Sequence, residues 1–218
     1  MNSAAMNSAE MNSVVVSVVD VSRTITSHDA EVVLLSPVSA DLRAGTLIAV
    51  SGPSGSGKTT FCNIVIGWEK SNTGSIQWTD DEAESWARLA IAPQRLALLP
   101  SLDIRENLSL PFWSSGRDLP ESDLVDLARR LEIEALLDRR PAEVSFGEQQ
   151  RAAIARAVLG SPRLAVLDEP TGHQDEARAG LVIDALLAAR DRGTCVLVAT
   201  HDPDIIAAAD EILPLHAP

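Results

Sequence analysis

The sequence contains no tyrosine, only two cysteines and only two lysines, and aromatic residues make up 3% of it. Cys62 and Cys195 both lie in apolar stretches without metal-ligand spacing, which favours buried free thiols over a disulfide or a zinc site. Acidic residues outnumber basic ones by 31 to 18, giving a formal net charge of −13. This charge repels nucleic-acid phosphate and anionic lipid, so we expect no binding to nucleic acid and no direct binding to a membrane.

Long hydrophobic runs are also missing, since no apolar stretch approaches the ~20 residues that a membrane-spanning helix needs. The N-terminus has neither the basic flank nor the apolar core of a signal peptide, and we therefore expect a cytoplasmic chain. Residues 1–13 instead repeat Met-Asn-Ser three times in a polar stretch. This composition predicts a disordered N-terminal tail.

After this tail, β-branched apolar runs alternate with helical patterns. We expect strands at residues 14–21, 47–51, 89–92, 164–167 and 194–199. Such alternation predicts a largely parallel α/β sheet, within one domain that covers residues 14–218. Between Pro100 and Gly160 the apolar residues recur at helical spacing and no convincing strand intervenes, which predicts a helical subdomain at about residues 95–160.

A glycine-rich segment, here called the phosphate loop, follows the strand at 47–51. It fits the pattern Gly-x4-Gly-Lys-Ser/Thr between a strand and a helix, and its members are Gly52, Pro53, Ser54, Gly55, Ser56, Gly57, Lys58, Thr59 and Thr60. Glycines let backbone N–H groups fold around phosphates, Lys58 adds positive charge, and the Thr59 hydroxyl can ligate Mg²⁺. The alternative is a Gly/Ser turn with an accidental lysine, which is less favoured because the chain has so few lysines. The segment therefore predicts a nucleotide-binding site.

Two adjacent acids, Asp168 and Glu169, end the apolar strand at 164–167. We expect them at the carboxyl edge of the sheet beside Lys58, with Asp168 facing Mg²⁺ and Glu169 polarising a water that attacks the γ-phosphate. An Asp-Glu pair alone is more often a solvated strand end, but the phosphate loop upstream reverses that preference. His201 follows the strand at 194–199 and is either structural or a γ-phosphate contact at the same edge.

Residues 144–151, with the sequence VSFGEQQR, resemble the signature segment of ABC ATPases, usually written LSGGQ or LSGGEQQR. Ser145 and Glu148 also fit the Ser-x-x-Glu pattern of a capping box. Both interpretations can hold together, because a capped helix N-terminus is also an anion site. The resemblance implies that Ser145, Gly147 and Glu148 address the γ-phosphate held by the other subunit of a dimer.

The resemblance to ABC ATPases extends over about residues 14–215, with the motifs in the family's order. It implies a P-loop NTPase fold, with an ABC ATPase sheet domain and an inserted α-helical subdomain. It also implies that Gln94 contacts Mg²⁺ and water, that His201 is the switch histidine, and that Asp175, in the loop usually written TGNLD or SALD, contacts the partner subunit. Residues 98–102 and 106–111 resemble, more narrowly, the branch serving lipoprotein-release, macrolide-export and cell-division permeases.

The activity that the resemblance implies is Mg-dependent hydrolysis of ATP by a head-to-tail homodimer. The dimer would drive a separate integral membrane permease, and only that permease would hold the chain at the inner face of the cell membrane.

Several positions depart from the family's pattern. Ile25 stands where the family normally stacks an aromatic residue on adenine, and Phe146 replaces the first signature glycine. Val144 at the start of the signature segment, and His173 and Gln174 in the loop before Asp175, also differ from the usual residues. Two alternatives stay open, namely a nucleotide-gated regulatory module with weak hydrolysis and a soluble ABC ATPase. The second normally carries tandem cassettes or long coiled coils, which this chain lacks.

Overall fold

Two sheets organise the residues that this computed structural model describes, which are 11–27, 30–79 and 89–217. The strands in chain order are β1 Val14–Ser27, β2 Ala30–Arg43, β3 Leu47–Ser51, β4 Thr73–Trp78, β5 Leu89–Ala92, β6 Leu164–Asp168, β7 Cys195–Ala199 and β8 Glu211–Pro214. The first sheet is antiparallel, with the order β2-β1-β4. The second is parallel, with the order β5-β6-β7-β3-β8. The predicted α/β class with a parallel sheet is therefore confirmed.

The helices in chain order are α1 Lys58–Val65, α2 Ile104–Ser115, α3 Glu121–Arg130, α4 Phe146–Val158, α5 Glu176–Asp191 and α6 Pro203–Ala208. Short 3₁₀ helices at Glu134–Leu136 and Pro141–Glu143 lie between α3 and α4. The described chain therefore contains helices but no strand between β5 and β6, and this helical part is inserted into the parallel sheet. No helix among the described residues is both long and apolar enough to cross a bilayer.

The parallel sheet has a hydrophobic core on each face, because successive side chains of a strand point to opposite sides. Leu164 and Val166 of β6 pack into the core that contains Phe61 of α1 and the antiparallel sheet. Ala165 and Leu167 pack into the other core, with residues of α4 and α5. Both faces are covered, which is why the strands are almost continuously apolar.

The N-terminal boundary of the fold lies slightly earlier than the sequence predicts. Residues 1–10 of the predicted tail lie outside the described residues. The N–H of Asn12 donates to the Ala44 carbonyl at 2.9 Å, and the N–H of Ala44 donates to the Ser13 carbonyl at the same distance. These backbone bonds attach Asn12 and Ser13 to the end of β2, and polar composition gives no sign of them.

The strand predicted at residues 14–21 is also longer, since β1 continues to Ser27. Register shifts occur at several points along β1, including one between Val19 and Ser22 against β4. Such bulges interrupt the alternation of apolar and polar residues that sequence analysis relies on.

Gly74 of β4 lies opposite this bulge and has a left-handed backbone, with φ 74°. A Cβ there would lie 2.2 Å from the Val19 carbonyl oxygen and 2.4 Å from that of Asp20. Gly67 has a similar φ of 79°, but a Cβ there would meet nothing within 4 Å.

We expect Gly67→Ala to lower the free energy of unfolding by about 1–2 kcal/mol, which is the cost of the left-handed backbone alone. Gly74→Ala should lower it further, because the added methyl group also collides with backbone. Urea denaturation of the two variants and of the unchanged chain measures both losses. Equal losses would contradict the close approach of β1 and β4 at Gly74.

Candidate functional site

The predicted catalytic and nucleotide-binding residues fall mainly at the carboxyl edge of three neighbouring parallel strands, β6, β7 and β3. β3 leads into the phosphate loop, β6 ends at Asp168, and β7 is followed by Thr200 and His201. Because parallel strands end at the same edge, three distant stretches of sequence meet there. We call this region the carboxyl edge.

The phosphate loop packs tightly against β2 where it enters α1. Gly57 is the N-cap residue of α1 and has a φ of 92°. A Cβ at Gly57 would lie 2.4 Å from the Leu34 carbonyl oxygen, so this position requires glycine. The ammonium of Lys58 donates to the carbonyls of Gly52 at 2.7 Å and Pro53 at 3.2 Å, on the opposite side of the loop.

The first turn of α1 has the features of an anion site. Its N-cap offers no side-chain hydrogen bond among the described residues, which leaves the first N–H groups of the helix available to a ligand. The Ser56 hydroxyl is 1% exposed and has no partner among the described residues. Pro53, Ser54 and Gly55 are exposed, and Thr60 is half-buried. A buried donor, free N–H groups and a lysine within one loop fit a phosphate chain.

Thr59 and Asp168 meet directly, since the Thr59 hydroxyl donates to Asp168 Oδ2 at 2.8 Å. Burial and the neighbouring Glu169 raise the pKa of Asp168, while the Thr59 bond and Lys58 oppose the shift. Gln94 is exposed and lines, together with both residues, a cleft of about 290 Å³. Hydroxyl, carboxylate and amide oxygens are hard donors, so this cleft fits Mg²⁺.

The Glu169 carboxylate contacts Thr200 and His201 rather than Thr59. Its Oε1 lies 2.8 Å from Nδ1 of His201, and Thr200 donates a long hydrogen bond of 3.4 Å to Oε2. The Glu169 side chain is 19% exposed, whereas that of His201 is 77% exposed. The backbone of Glu169 has a φ of 48°, which is strained for a residue with a side chain. A carboxylate held near the surface beside an exposed imidazole can accept a proton from water.

Sequence reasoning missed one contact of Glu169. Gln150 of α4 donates from Nε2 to the Glu169 carbonyl oxygen at 2.9 Å, and Gln150 is only 4% exposed. The available signal was that Gln150 and Arg151 directly precede the apolar run at residues 152–155 of the same helix, but sequence alone does not show that they are buried.

The signature residues occupy a second location, at the start of α4. Ser145 is the N-cap of this helix, and its N–H and hydroxyl both donate to Glu148 Oε2, at 2.7 and 2.8 Å. These bonds lower the pKa of Glu148. The capping-box interpretation is therefore confirmed. Among the described residues, no hydrogen bond of Ser145, Gly147 or Glu148 reaches the phosphate loop of the same chain.

Asp175 lies close to the signature residues, since the adjacent Gln174 donates to the Gly147 carbonyl, whereas Ile25 lies on the antiparallel sheet. Asp175 is the N-cap of α5, where it accepts a hydrogen bond from the Arg178 N–H at 3.0 Å and forms an ion pair with its guanidinium. Ile25 is exposed on β1, paired across the strands with Val32 of β2. The structure brings β2 to the phosphate loop at Leu34.

Comparison with known proteins identifies the family. The family described as ABC transporter matches residues 35–172, more than half of the chain. The lipoprotein-releasing system ATP-binding protein LolD of Novosphingobium aromaticivorans is 33% identical over 93% of this chain and 96% of its own length. The macrolide export ATP-binding/permease protein MacB of Shigella flexneri is 32% identical over 89% of this chain. The chain spans only 32% of the length of that second relative.

Solved structures that resemble this chain belong to the same family as these relatives. The dimeric bacterial ABC transporter cassette MJ0796 has a TM-score of 0.82 and 26% identity, with 93% of this chain and 94% of that chain covered. A post-hydrolysis state of the same cassette, bound to ADP and Pi, has a TM-score of 0.81 and 26% identity, with 92% and 94% covered. The chain therefore belongs to the ABC transporter family, in the branch of LolD and MacB.

Proposed function

We propose that this cassette binds Mg-ATP between two copies of itself and that hydrolysis drives a separate integral membrane permease. The observation that carries the proposal is the hydrogen bond between Thr59 and Asp168, made beside the phosphate loop and next to the pair of Glu169 and His201. These contacts place a phosphate-binding loop, a metal-ligating pair and a general base together at one edge of one sheet.

The phosphate loop holds the triphosphate in this proposal. The N–H groups at the start of α1 and the buried Ser56 hydroxyl donate to phosphate oxygens, and the Lys58 ammonium exchanges its loop carbonyls for the β- and γ-phosphates. Thr59, Asp168 and Gln94 are the residues that would hold Mg²⁺, which neutralises phosphate charge when bound.

Glu169 is the general base in this proposal. Its Oε2 makes only the long bond with Thr200 among the described residues, so it is free to accept a proton from water. His201 contacts the other oxygen, and its exposed ring can orient the carboxylate while donating to the γ-phosphate.

A second copy completes the site. Ser145 and Gly147 make no hydrogen bond to their own phosphate loop, and the N-terminus of α4 is an anion site by its dipole. We assign them to the γ-phosphate bound by the partner, with Glu148 beside that phosphate as the residue that holds the Ser145 hydroxyl, and we place Asp175 at the same interface. The dimeric state of MJ0796 supports this arrangement.

An apolar cleft on the surface supports the proposal of a permease partner. It has a volume of about 350 Å³ and lies between β5 and α2, with Trp68, Ile91, Leu110 and Pro111 in its walls. Trp68 is 58% exposed and belongs to the apolar wall of this cleft, and a contiguous exposed apolar patch marks an interaction site. We assign the cleft to a cytoplasmic segment of the permease. With a net charge of −13, the cassette would reach the inner face of the cell membrane only through that partner.

Lys58→Ala tests the phosphate loop. We expect ATP affinity to fall at least about 10- to 100-fold, because a charge-assisted hydrogen bond is worth about 1.5–3 kcal/mol. Isothermal titration calorimetry with Mg-ATP measures the change. Lys70→Ala removes the chain's other lysine, which is exposed, and should leave the affinity unchanged. Equal affinities for the two variants would rule out the loop as the nucleotide cradle.

Glu169→Gln tests the general base. The substitution preserves shape but removes the proton acceptor, so kcat should fall by about 10²–10⁴. ATP-bound dimers should then accumulate, and size-exclusion chromatography in Mg-ATP detects them. Glu176→Gln, at an exposed acid in the first turn of α5, is the control. Normal turnover by Glu169→Gln would remove this residue from the role.

Ile25→Tyr tests the base contact. Stacking on an aromatic ring is worth about 1–3 kcal/mol per base, so ATP affinity should rise roughly 5- to 150-fold. Val33→Tyr is a matched control, because Val33 is similarly exposed (42% against 36%) but pairs with the neighbouring residue, Thr24, and so faces the other side of the hairpin. The same gain in both variants would show that Ile25 does not lie at the base.

A further inference from the structure

The side-chain amide of Gln174 connects two segments that serve different nucleotides in the proposed dimer. Gln174 lies in the loop between β6 and α5, at the position that is leucine in the TGNLD pattern. Its Nε2 donates to the Gly147 carbonyl at 3.0 Å and to Gln150 Oε1 at 2.8 Å. Its Oε1 accepts from the Arg151 guanidinium at 2.8 Å. Because a guanidinium only donates, this third bond fixes which end of the amide faces Gly147.

Gln150 extends the connection to Glu169. Its Oε1 accepts from Gln174, and its Nε2 donates to the Glu169 carbonyl oxygen at 2.9 Å. The Glu169 backbone is in the strained left-handed region, where its conformation depends on the contacts that surround it. The hydrogen bond on its carbonyl therefore helps to set the direction of its carboxylate. We call the sequence Gly147 carbonyl, Gln174, Gln150 and Glu169 carbonyl the amide chain.

Arg151 anchors the amide chain to the helical part of the molecule. Arg151 is 4% exposed, and its Nε donates to the Leu131 carbonyl at 2.8 Å. Burial, with the neighbouring Arg178, lowers its pKa. A buried polar group destabilises the fold unless it has a hydrogen-bond partner. The amide chain is therefore restricted to the one arrangement in which its groups are paired.

A second contact joins the same two segments. The rings of Phe146 and His173 meet edge to face, with centroids 4.5 Å apart and planes at 68°. Three departures from the family's pattern, at residues 146, 173 and 174, thus meet in one place. Because these three residues lie together, we infer that the start of α4 contacts the loop before α5 through different side chains from those in the family's usual pattern.

We propose that Gln174 is a positioning residue that ties the catalytic carboxylate of Glu169 to the start of α4. The proposal rests on the proposed function, in which Ser145 and Gly147 bind the phosphate of the partner. Engagement of that phosphate shifts the first turn of α4, and the amide chain carries the shift to Glu169 of the same subunit. Each site then hydrolyses ATP according to the occupancy of the other, which is positive cooperativity between the two sites. A leucine at 174 can neither donate nor accept these bonds.

Gln174→Met tests the amide chain in the full-length protein, because methionine has a similar length and shape but no amide. We expect kcat to fall about tenfold or more through misplacement of Glu169, with KM for ATP changed less than about twofold. The Hill coefficient for ATP should fall towards 1. Steady-state phosphate release at varied ATP measures all three quantities. Unchanged kcat and Hill coefficient would overturn the proposal.

Gln149→Met is the matched control. Gln149 lies on the same turn of α4 and donates to the carbonyls of Pro141 at 2.9 Å and Val144 at 3.2 Å, outside the amide chain. We expect it to lower the melting temperature as Gln174→Met does but to leave the Hill coefficient unchanged. The same loss of cooperativity in both variants would indicate general destabilisation and overturn the proposal.

The double variant Q150M/Q174M tests whether the two glutamines act in series. If they do, the double variant loses no more activity than Gln174→Met alone. Independent, multiplicative losses would contradict a single chain.

Hydrogen–deuterium exchange of the nucleotide-free protein separates this inference from the proposed function. Gln174→Met should speed exchange at the start of α4, and Gln150→Met should speed it at residues 169–175. Protection unchanged in both places would overturn the linkage, whatever the turnover. A linkage that persists in a protein unable to hydrolyse ATP would instead refute the proposed function.

Discussion

The structure depends on the adjacency of three parallel strands, because only this places the phosphate loop, the proposed metal-binding acid Asp168 and the proposed general base Glu169 at one edge. β3, β6 and β7 are neighbours although long stretches of sequence separate them. Their pairing requires both faces of the sheet to be covered by helices or by the second sheet, and the two hydrophobic cores provide that cover. The hydrogen bond from Thr59 to Asp168 joins the helix that follows β3 to the end of β6, although β7 lies between these strands, and is the most direct sign of the arrangement.

The sequence predicted best the features that depend on neighbouring residues. The phosphate loop has a fixed spacing, the acids follow an apolar strand directly, and Ser145 and Glu148 are three residues apart. Each of these is a local pattern with a geometric reason, and the parallel sheet follows from the alternation of strand and helix. The limits of β1 were predicted less well, because bulges at Val19–Ser22 break the alternation that marks a strand.

Contacts between distant side chains and backbone were beyond sequence reasoning. Gln150 lies inside the signature segment, yet nothing in its neighbours shows that its amide reaches the Glu169 carbonyl. The attachment of Asn12 and Ser13 to Ala44 is likewise made by backbone groups that every residue has. Such contacts depend on how the helices and strands pack against one another. Their only trace in a single sequence is a polar residue at a buried position with no obvious partner.

In the proposed dimer, the capping box of α4 has a consequence for how long the two subunits stay together. Glu148 keeps a carboxylate at the helix end that an incoming phosphate would also occupy, and it already accepts the Ser145 proton. The Glu148 carboxylate and the phosphate compete there for the Ser145 hydroxyl and for the positive end of the helix dipole. This competition lowers the affinity of the helix end for the phosphate. In the proposed dimer, this competition favours frequent release of the partner subunit over long residence.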